Sequence, residues 1–145
     1  MSVFIDTGVF YAHHDTDAAR HDAARTFFDH VLDGELGQPY TNDYIFDEAV
    51  TLTRKRTHDV APAISLANRL LGNDPYPDVI TFEPVTPDIF DAAYECFETY
   101  DDHELSFTDA TTVAHCHVRD IDTIASFDDD FDGIYDRTDP NTFTE

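Results

Sequence analysis

Short apolar runs of strand length alternate along this chain with longer segments whose apolar residues recur at helical spacing, and few folds accept that alternation. Ser2 to Ile5 reads as a buried strand, closed by Asp6-Thr7-Gly8. From Asp17 to Leu32, the positions Ala18, Ala19, Ala23, Ala24, Phe27, Phe28, Val31 and Leu32 predict a helix that stops at Asp33-Gly34. Pro39-Tyr40-Thr41 is a second strand, after which Asn42 or Asp43 caps a helix with Ile45, Ala49 and Leu52 on one stripe. A break at Thr57-His58-Asp59 precedes another amphipathic helix, Val60 to Leu71, ending at Gly72-Asn73. Asp78 to Phe82 reads as a strand, Thr86 caps a helix from Pro87 to about Tyr100, and Ser106 starts one that runs to about Arg119. Thr123 to Ser126 is a further strand, and Gly133-Ile134-Tyr135 is a short extended candidate. The expectation is an α/β fold: a mostly parallel sheet of four to five strands flanked by helices, with residues 1–145 forming a single domain.

A length of 145 residues suffices for one domain with a buried core, and 12 Phe and 7 Tyr are available to fill it. The charge is unusual. Thirty-one acidic residues, 24 of them Asp, face one lysine, Lys55, and seven arginines, for a net charge of -23. With 41% hydrophobic residues spread regularly, that charge does not mean disorder. It points to a halophilic surface, because in molar salt the Debye length shrinks to roughly 3 Å and self-repulsion fades. Cys96 and Cys116 lack metal-type spacing and read as buried free thiols in a reducing compartment. Neither a signal peptide nor a bilayer-length apolar run is evident, so a soluble, cytoplasmic protein without membrane contact is expected.

The chemistry lies in carboxylates that the folding pattern could bring together: Asp6 after the first strand, Glu48 on a helix stripe, Asp109 near the start of a later helix, and Asp128 after Ser126-Phe127. Ligand sites in open parallel sheets lie at the carboxyl ends of strands, which would point Asp6 and Asp128 into one crevice. Each has an ordinary alternative. Asp6 and Asp128 could each cap the next helix, and Ser106-Phe107-Thr108-Asp109 fits a capping box. Glu48 shares the side of Tyr44, Ile45, Thr51 and Leu52, where an unpaired carboxylate is costly, whereas Asp47 suits a solvated surface. Clustered carboxylates raise one another's pKa unless a cation neutralises them, and an all-oxygen donor set selects a hard ion such as Mg²⁺ or Mn²⁺. Arg54-Lys55-Arg56, beyond Glu48, fits either favourable charges at a helix C-terminus or a phosphate clamp.

Four segments carry a family resemblance: Val3-Phe4-Ile5-Asp6-Thr7-Gly8-Val9-Phe10, Thr41-Asn42-Asp43-Tyr44-Ile45-Phe46-Asp47-Glu48, Leu105-Ser106-Phe107-Thr108-Asp109-Ala110, and Ile124-Ala125-Ser126-Phe127-Asp128-Asp129-Asp130-Phe131. In this order and at these separations, the chain resembles the PIN-domain ribonucleases, most closely the single-domain VapC-type toxins of toxin–antitoxin pairs. The resemblance covers nearly the whole chain. It implies a three-layer PIN-like fold and a Mg²⁺- or Mn²⁺-dependent endoribonuclease that hydrolyses RNA phosphodiester bonds with metal-activated water, leaving a 5′-phosphate and a 3′-hydroxyl. The acidic positions match Asp6, Glu48, Asp109 and Asp128, with Asp130 as a competing or additional acid; Thr7 and Ser126 match supporting hydroxyls. An antitoxin partner and a homodimer are implied as well.

Other readings rank below this one. An RNA-processing PIN nuclease without an antitoxin would look much alike, and a non-enzymatic protein with a degenerate site disagrees with the presence of all four acids. Asp128-x-Asp130-x-Asp132-Gly133, continued by Asp136 and Asp139, follows the spacing of an EF-hand calcium loop but lacks the flanking helices that such a loop needs. A receiver domain would need a lysine near the last strand, and Lys55 is mid-chain. His115-Cys116-His117 places its side chains in divergent directions on a helix, and His13-His14 reads as surface or packing residues; neither reads as a metal tract.

Overall fold

The computed structural model describes residues 1–144. Five short strands form one parallel sheet: β1 (Ser2–Ile5), β2 (Gln38–Thr41), β3 (Thr81–Phe82), β4 (Thr123–Ala125) and β5 (Arg137–Thr138), in the order β3-β2-β1-β4-β5. Six helices connect and flank them: α1 (Thr7–His14), α2 (His21–Leu32), α3 (Asp43–Thr57), α4 (Val60–Leu71), α5 (Pro87–Thr99) and α6 (Phe107–Arg119). Val3, Phe4 and Ile5 of β1 and Ile124 and Ala125 of β4 are fully buried, as expected for central strands covered on both faces. Phe10, Phe27, Ile45, Leu66, Leu70 and Phe131 complete the main core. Among the described residues, no helix is long and apolar enough to cross a membrane.

The strand order fixes where a ligand can sit. From β1 the chain builds outward through β2 and β3, then returns to the other side of β1 to lay down β4 and β5. The carboxyl ends of β1 and β4 therefore flank the point where the winding reverses, the usual position of a crevice in such sheets.

Several local expectations change. α1 has no counterpart in the sequence pattern: Thr7, Val9, Phe10 and Ala12 are buried on several sides of two helical turns, so no amphipathic stripe announces it, and Asp6-Thr7-Gly8 continues into a helix. α2 starts at His21 and not at Asp17, because the Asp15 side chain accepts from the Asp17 N–H at 3.0 Å and holds a turn in place of the helix. β3 shrinks to Thr81–Phe82; the Gln38 amide takes the Val79 carbonyl at 3.1 Å and the Thr81 hydroxyl at 2.8 Å, so a side chain replaces ladder pairing ahead of Thr81. Thr86 occupies the cap position of α5 without capping it, since its hydroxyl donates to the Asp88 carboxylate. Gly133-Ile134-Tyr135 folds back on the Phe131 carbonyl as a turn, with Gly133 at φ +83°, and the edge strand forms at Arg137–Thr138.

The ends of α3 and α4 follow the sequence closely. Asn42 Oδ1 accepts from Ile45 N at 2.9 Å and starts α3, while His58 ends it at φ 57°. Asp59 caps α4, and Gly72 closes it in the left-handed conformation.

Candidate metal centre

Asp6 leaves β1 with its N–H bonded to the Ala125 carbonyl of β4 at 3.0 Å, which anchors it at the sheet's switch point. It sits in the cap position of α1, yet its side chain does not cap the helix. Oδ2 accepts from Ser126 Oγ at 2.7 Å. Ser126 Oγ in turn accepts from the Asp128 N–H at 3.0 Å, so one hydroxyl ties the segments after β1 and β4 together. Asp6 is only 7% exposed. Burial, with added repulsion from Asp109 and Glu48, pushes its pKa from an ordinary 3.8 to about 7, against the lowering effect of the Ser126 hydrogen bond.

Asp109 carries two roles on one side chain. Its Oδ2 accepts from Ser106 N at 3.1 Å while Ser106 Oγ accepts from Asp109 N at 3.0 Å, a complete capping box. Its pKa nonetheless rises to about 6, first through burial and then through the charges of Glu48 and Asp128. A cap alone would lower it. Glu48 is half-buried on α3 and has no side-chain hydrogen bond or ion pair among the described residues. Its neighbour Asp47 is exposed and accepts from Thr51 Oγ1 at 3.2 Å, an ordinary surface acid.

Asp128 is exposed, and its Oδ1 accepts from the Asp130 N–H at 2.9 Å, capping a 3₁₀ turn over Asp129–Phe131. Asp128, Asp129 and Asp130 offer oxygens within 4.8 Å of one another. The charge of Asp128 is the largest cause of a raised Asp130 pKa, with Asp129 and Glu104 adding to it. The carboxylates thus form a chain of mutual repulsion from Glu48 and Asp6 through Asp109 to Asp128 and Asp130. Neither Asp129 nor Glu104 has a signature in the sequence: Asp129 stands inside an Asp run without a distinguishing pattern, and Glu104 lies in a loop between α5 and α6.

These residues fit a hard divalent cation. The donors are carboxylates, two of them are driven toward protonation when no cation compensates them, and Thr7 Oγ1 is a buried hydroxyl without a partner beside Asp6. The EF-hand alternative does not fit. Asp132 is tied to Arg137 at 2.8 and 3.1 Å, Asp139 caps a second 3₁₀ turn, and the segment follows β4 and runs through β5 without an entering or exiting α-helix.

A buried polar chain supports the site from behind. His115 on α6 is fully buried, with Nε2 3.2 Å from Glu83 Oε1 and Nδ1 3.2 Å from Asn42 Nδ2. Because Asn42 Oδ1 is engaged by Ile45 N, its amide faces His115 as a donor; Nδ1 accepts and Nε2–H donates to Glu83. This chain joins α6, which bears Asp109, to the cap of α3, which bears Glu48. The His115-Cys116-His117 run gave no hint of it, since the link depends on a tertiary contact with Asn42.

Of the cationic run, Arg56 lines a cleft between α1, α3 and the segment before α2 and rests its guanidinium 4.8 Å from the centre of the Tyr11 ring. Arg54 and Lys55 are exposed and do not line that cleft. His13 stacks on Phe28 at 4.2 Å, and Cys96 and Cys116 are free.

Known proteins share this fold. The PIN domain family matches residues 3–136. The 23S rRNA-specific endonuclease VapC20 of Mycobacterium tuberculosis is 29% identical over 132 residues, covering 89% of this chain and 91% of that protein. The crystal structure of VapC20, described as a Sarcin-Ricin loop cleaving toxin, superposes with a TM-score of 0.75 at 28% identity, covering 89% of this chain and 92% of that one. VapBC2 from Rickettsia felis, solved bound to a promoter DNA fragment, shares the fold at a TM-score of 0.70 and 9% identity over 95% of this chain and 98% of its own.

Proposed function

The chain belongs to the PIN-domain family, and from that membership and the carboxylate geometry we propose that it is a divalent-metal-dependent endoribonuclease, the toxin of a toxin–antitoxin pair. The observation that carries the reading is Asp6, held buried at the sheet's switch point by Ser126 and electrostatically coupled to Asp109 and Glu48 of two other elements. Asp6, Glu48, Asp109 and Asp128 would hold Mg²⁺ or Mn²⁺, with Asp130 alongside. A divalent ion there supplies the positive charge that acidifies water and offsets charge building on the phosphate and the leaving 3′-oxygen. Ser126 keeps the Asp6 carboxylate oriented, and Thr7 offers its hydroxyl next to it. Arg54, Lys55 and Arg56 draw RNA toward a surface that otherwise repels it. We take residues 1–145 as one domain working in a reducing cytoplasm, in keeping with two free thiols.

VapC20 is named for 23S rRNA, which makes ribosomal RNA the first substrate to assay. Purified protein is expected to cut total RNA in high-KCl buffer with Mg²⁺ or Mn²⁺, to stop with EDTA, and to leave 5′-phosphate ends on mapping. Metal-independent cleavage, or none with either ion, would sink the proposal. The antitoxin is supported by the VapBC likeness in fold, and a small gene directly upstream whose product silences cleavage is the expected finding. An RNA-processing nuclease would lack that neighbour.

We propose a second copy of the chain as another partner, docked on α5. There Phe90, Tyr94 and Phe97 are 45, 54 and 43% exposed at spacings of four and three, an apolar stripe unusual on so acidic a surface. Light scattering should report a dimer, and Tyr94→Glu, at the most exposed of the three, should yield a monomer with an unchanged CD spectrum. A monomeric parent protein would remove this face from consideration.

The acidic surface is read as halophilic adaptation. Dialysis from multimolar KCl into dilute buffer is expected to unfold the protein as the Debye length grows from roughly 3 Å toward 30 Å. A far-UV CD spectrum that survives the change would refute the adaptation and leave the charge unexplained.

A further inference from the structure

Two arginines that line one cleft, distant from each other in sequence, point to a binding site for the RNA strand. The cleft, of about 450 Å³, lies between α1, α3 and the start of α2, and its walls include Gly8, Tyr11, Asp15, Arg20, Leu52 and Arg56. Two carboxylate-bearing segments line it, and a third touches one of its arginines. Gly8 follows Asp6 by two positions, Leu52 stands one helical turn beyond Glu48, and Arg20 holds its guanidinium 4.9 Å from the centre of the Phe127 ring, next to Asp128. A strand lying in the cleft would therefore lead directly into the metal centre.

Cations are scarce in this chain, and how each is engaged matters. Arg119 is paired with Glu83 and Asp88, Arg137 with Asp132 and Asp139, and Arg69 packs on Tyr76 and the His13–His14 pair. Arg20 and Arg56 rest instead on aromatic faces, those of Phe127 and Tyr11, and make no ion pair among the described residues. A guanidinium carried on a ring keeps its N–H edges for an anion, while one clasped by a carboxylate has spent them. The cleft also contains Asp15 and Asp17. Asp15 is occupied: Tyr11 Oη donates to it at 2.7 Å and Asp17 N at 3.0 Å. Tyr11 thus carries Arg56 on its face and restrains the nearest carboxylate with its hydroxyl.

We propose that Arg20 and Arg56 form a clamp for consecutive phosphates of single-stranded RNA, seating the strand along the cleft so that the next linkage reaches the carboxylates. The clamp rests on the nuclease reading and adds a residue, Arg20, that lies far from the Arg54-Lys55-Arg56 run in sequence. Phosphate is the ligand chemistry it fits, because two planar forks of N–H donors match phosphate oxygens, and the bases would remain free toward the cleft mouth.

The test uses Arg20→Gln, Arg56→Gln, the double variant and Arg69→Gln. Arg69 carries the same charge but lies on α4, packed on Tyr76 and outside the cleft. Binding of a fluorescein-labelled oligouridylate is followed by anisotropy in EDTA over a KCl series in which CD shows the fold intact. Each arginine lost should weaken binding about tenfold at the lowest salt and reduce the slope of log K against log salt by about 0.7, the value for one single-strand phosphate contact. Cleavage by the same variants with Mg²⁺ should show a raised KM at nearly constant kcat, and metal-induced thermal stabilisation should not change. Equal losses in Arg69→Gln and Arg56→Gln would reduce the effect to overall charge and overturn the clamp, as would unchanged binding in the double variant while the parent protein cuts RNA. A parent protein that cuts no RNA with either metal is a different failure, that of the nuclease reading itself.

Discussion

Asp6→Asn is expected to lower RNA cleavage by more than about 100-fold, the upper end of losses seen when only an outer partner of a metal ligand is removed, while making the metal-free protein more stable at neutral pH. The two effects share one cause. Asp6 sits at the switch point of the sheet, 7% exposed, with its pKa driven from 3.8 to about 7. An acid that binds its proton more tightly folded than unfolded favours the folded state below the unfolded pKa, and that contribution is lost as pH rises toward the folded pKa. Without metal, stability should therefore fall between about pH 4 and pH 7 and level off above. The rise from 3.8 to about 7 is worth up to roughly 4 kcal/mol from this group. Asparagine removes the charge and can still accept from Ser126 Oγ, so the variant should lack most of that slope and exceed the parent in stability near pH 8. Denaturant titrations in EDTA across this pH range, at fixed multimolar KCl, measure the difference. A parallel pH profile in the variant would mean that Asp6 is not the strained carboxylate, and normal cleavage would remove it from the site.

How much of this can be read from the chain depends on which interactions are local. β1, α3, α4 and α6 are legible because their signals lie within a few residues: the apolar Val3-Phe4-Ile5 run, the Asn42 and Asp59 caps, and the Ser106–Asp109 box. α1 is hidden because a short helix buried on several faces has no stripe, and β3 and β5 differ from expectation because edge strands are defined by their partners. Gln38 consumes the pairing that Asp78–Ile80 would have needed, and Arg137–Thr138 qualifies as a strand only beside Ile124 and Ala125.

The carboxylates divide in the same way. Asp6 is ambiguous between cap and ligand on sequence grounds, and its uncapped geometry removes the first role. Asp109 is compatible with both, because a carboxylate has two oxygens and the box engages only Oδ2. Asp128 also caps its own turn, and its choice against Asp130 stays open since the two are electrostatically coupled. The His115–Asn42 link and the Arg20 clamp have no signature in the sequence. Both join residues that are distant in the chain, and neither belongs to a periodic pattern.

The double role of Asp109 leads to the second large effect. In the folded arrangement Asp6, Glu48, Asp109 and Asp128 are electrostatically coupled, whereas in the unfolded chain they are dispersed, so on the proposed function Mg²⁺ or Mn²⁺ should bind only the fold and stabilise it by RT ln(1 + [L]/Kd). At a hundredfold excess over Kd this is about 2.7 kcal/mol, or a rise in Tm on the order of 8 °C for a domain of this size. Bulk salt imitates stabilisation by screening, so the titration belongs in constant multimolar KCl, where millimolar additions barely alter the Debye length. Asp109→Asn separates the two roles. An asparagine oxygen can still accept from Ser106 N, and Ser106 Oγ can still accept from the backbone N–H at 109, so the start of α6 should remain intact. The loss of charge should nevertheless remove most of the metal-induced rise in Tm, while metal-free stability holds or improves as repulsion with Glu48 and Asp128 is relieved. Asp47→Asn, one position from Glu48 but exposed and bonded to Thr51, should respond to metal like the parent. If Asp109→Asn also kept the full response, the capping box would account for Asp109 entirely, and its raised pKa would reflect burial at a helix terminus without membership in a metal site.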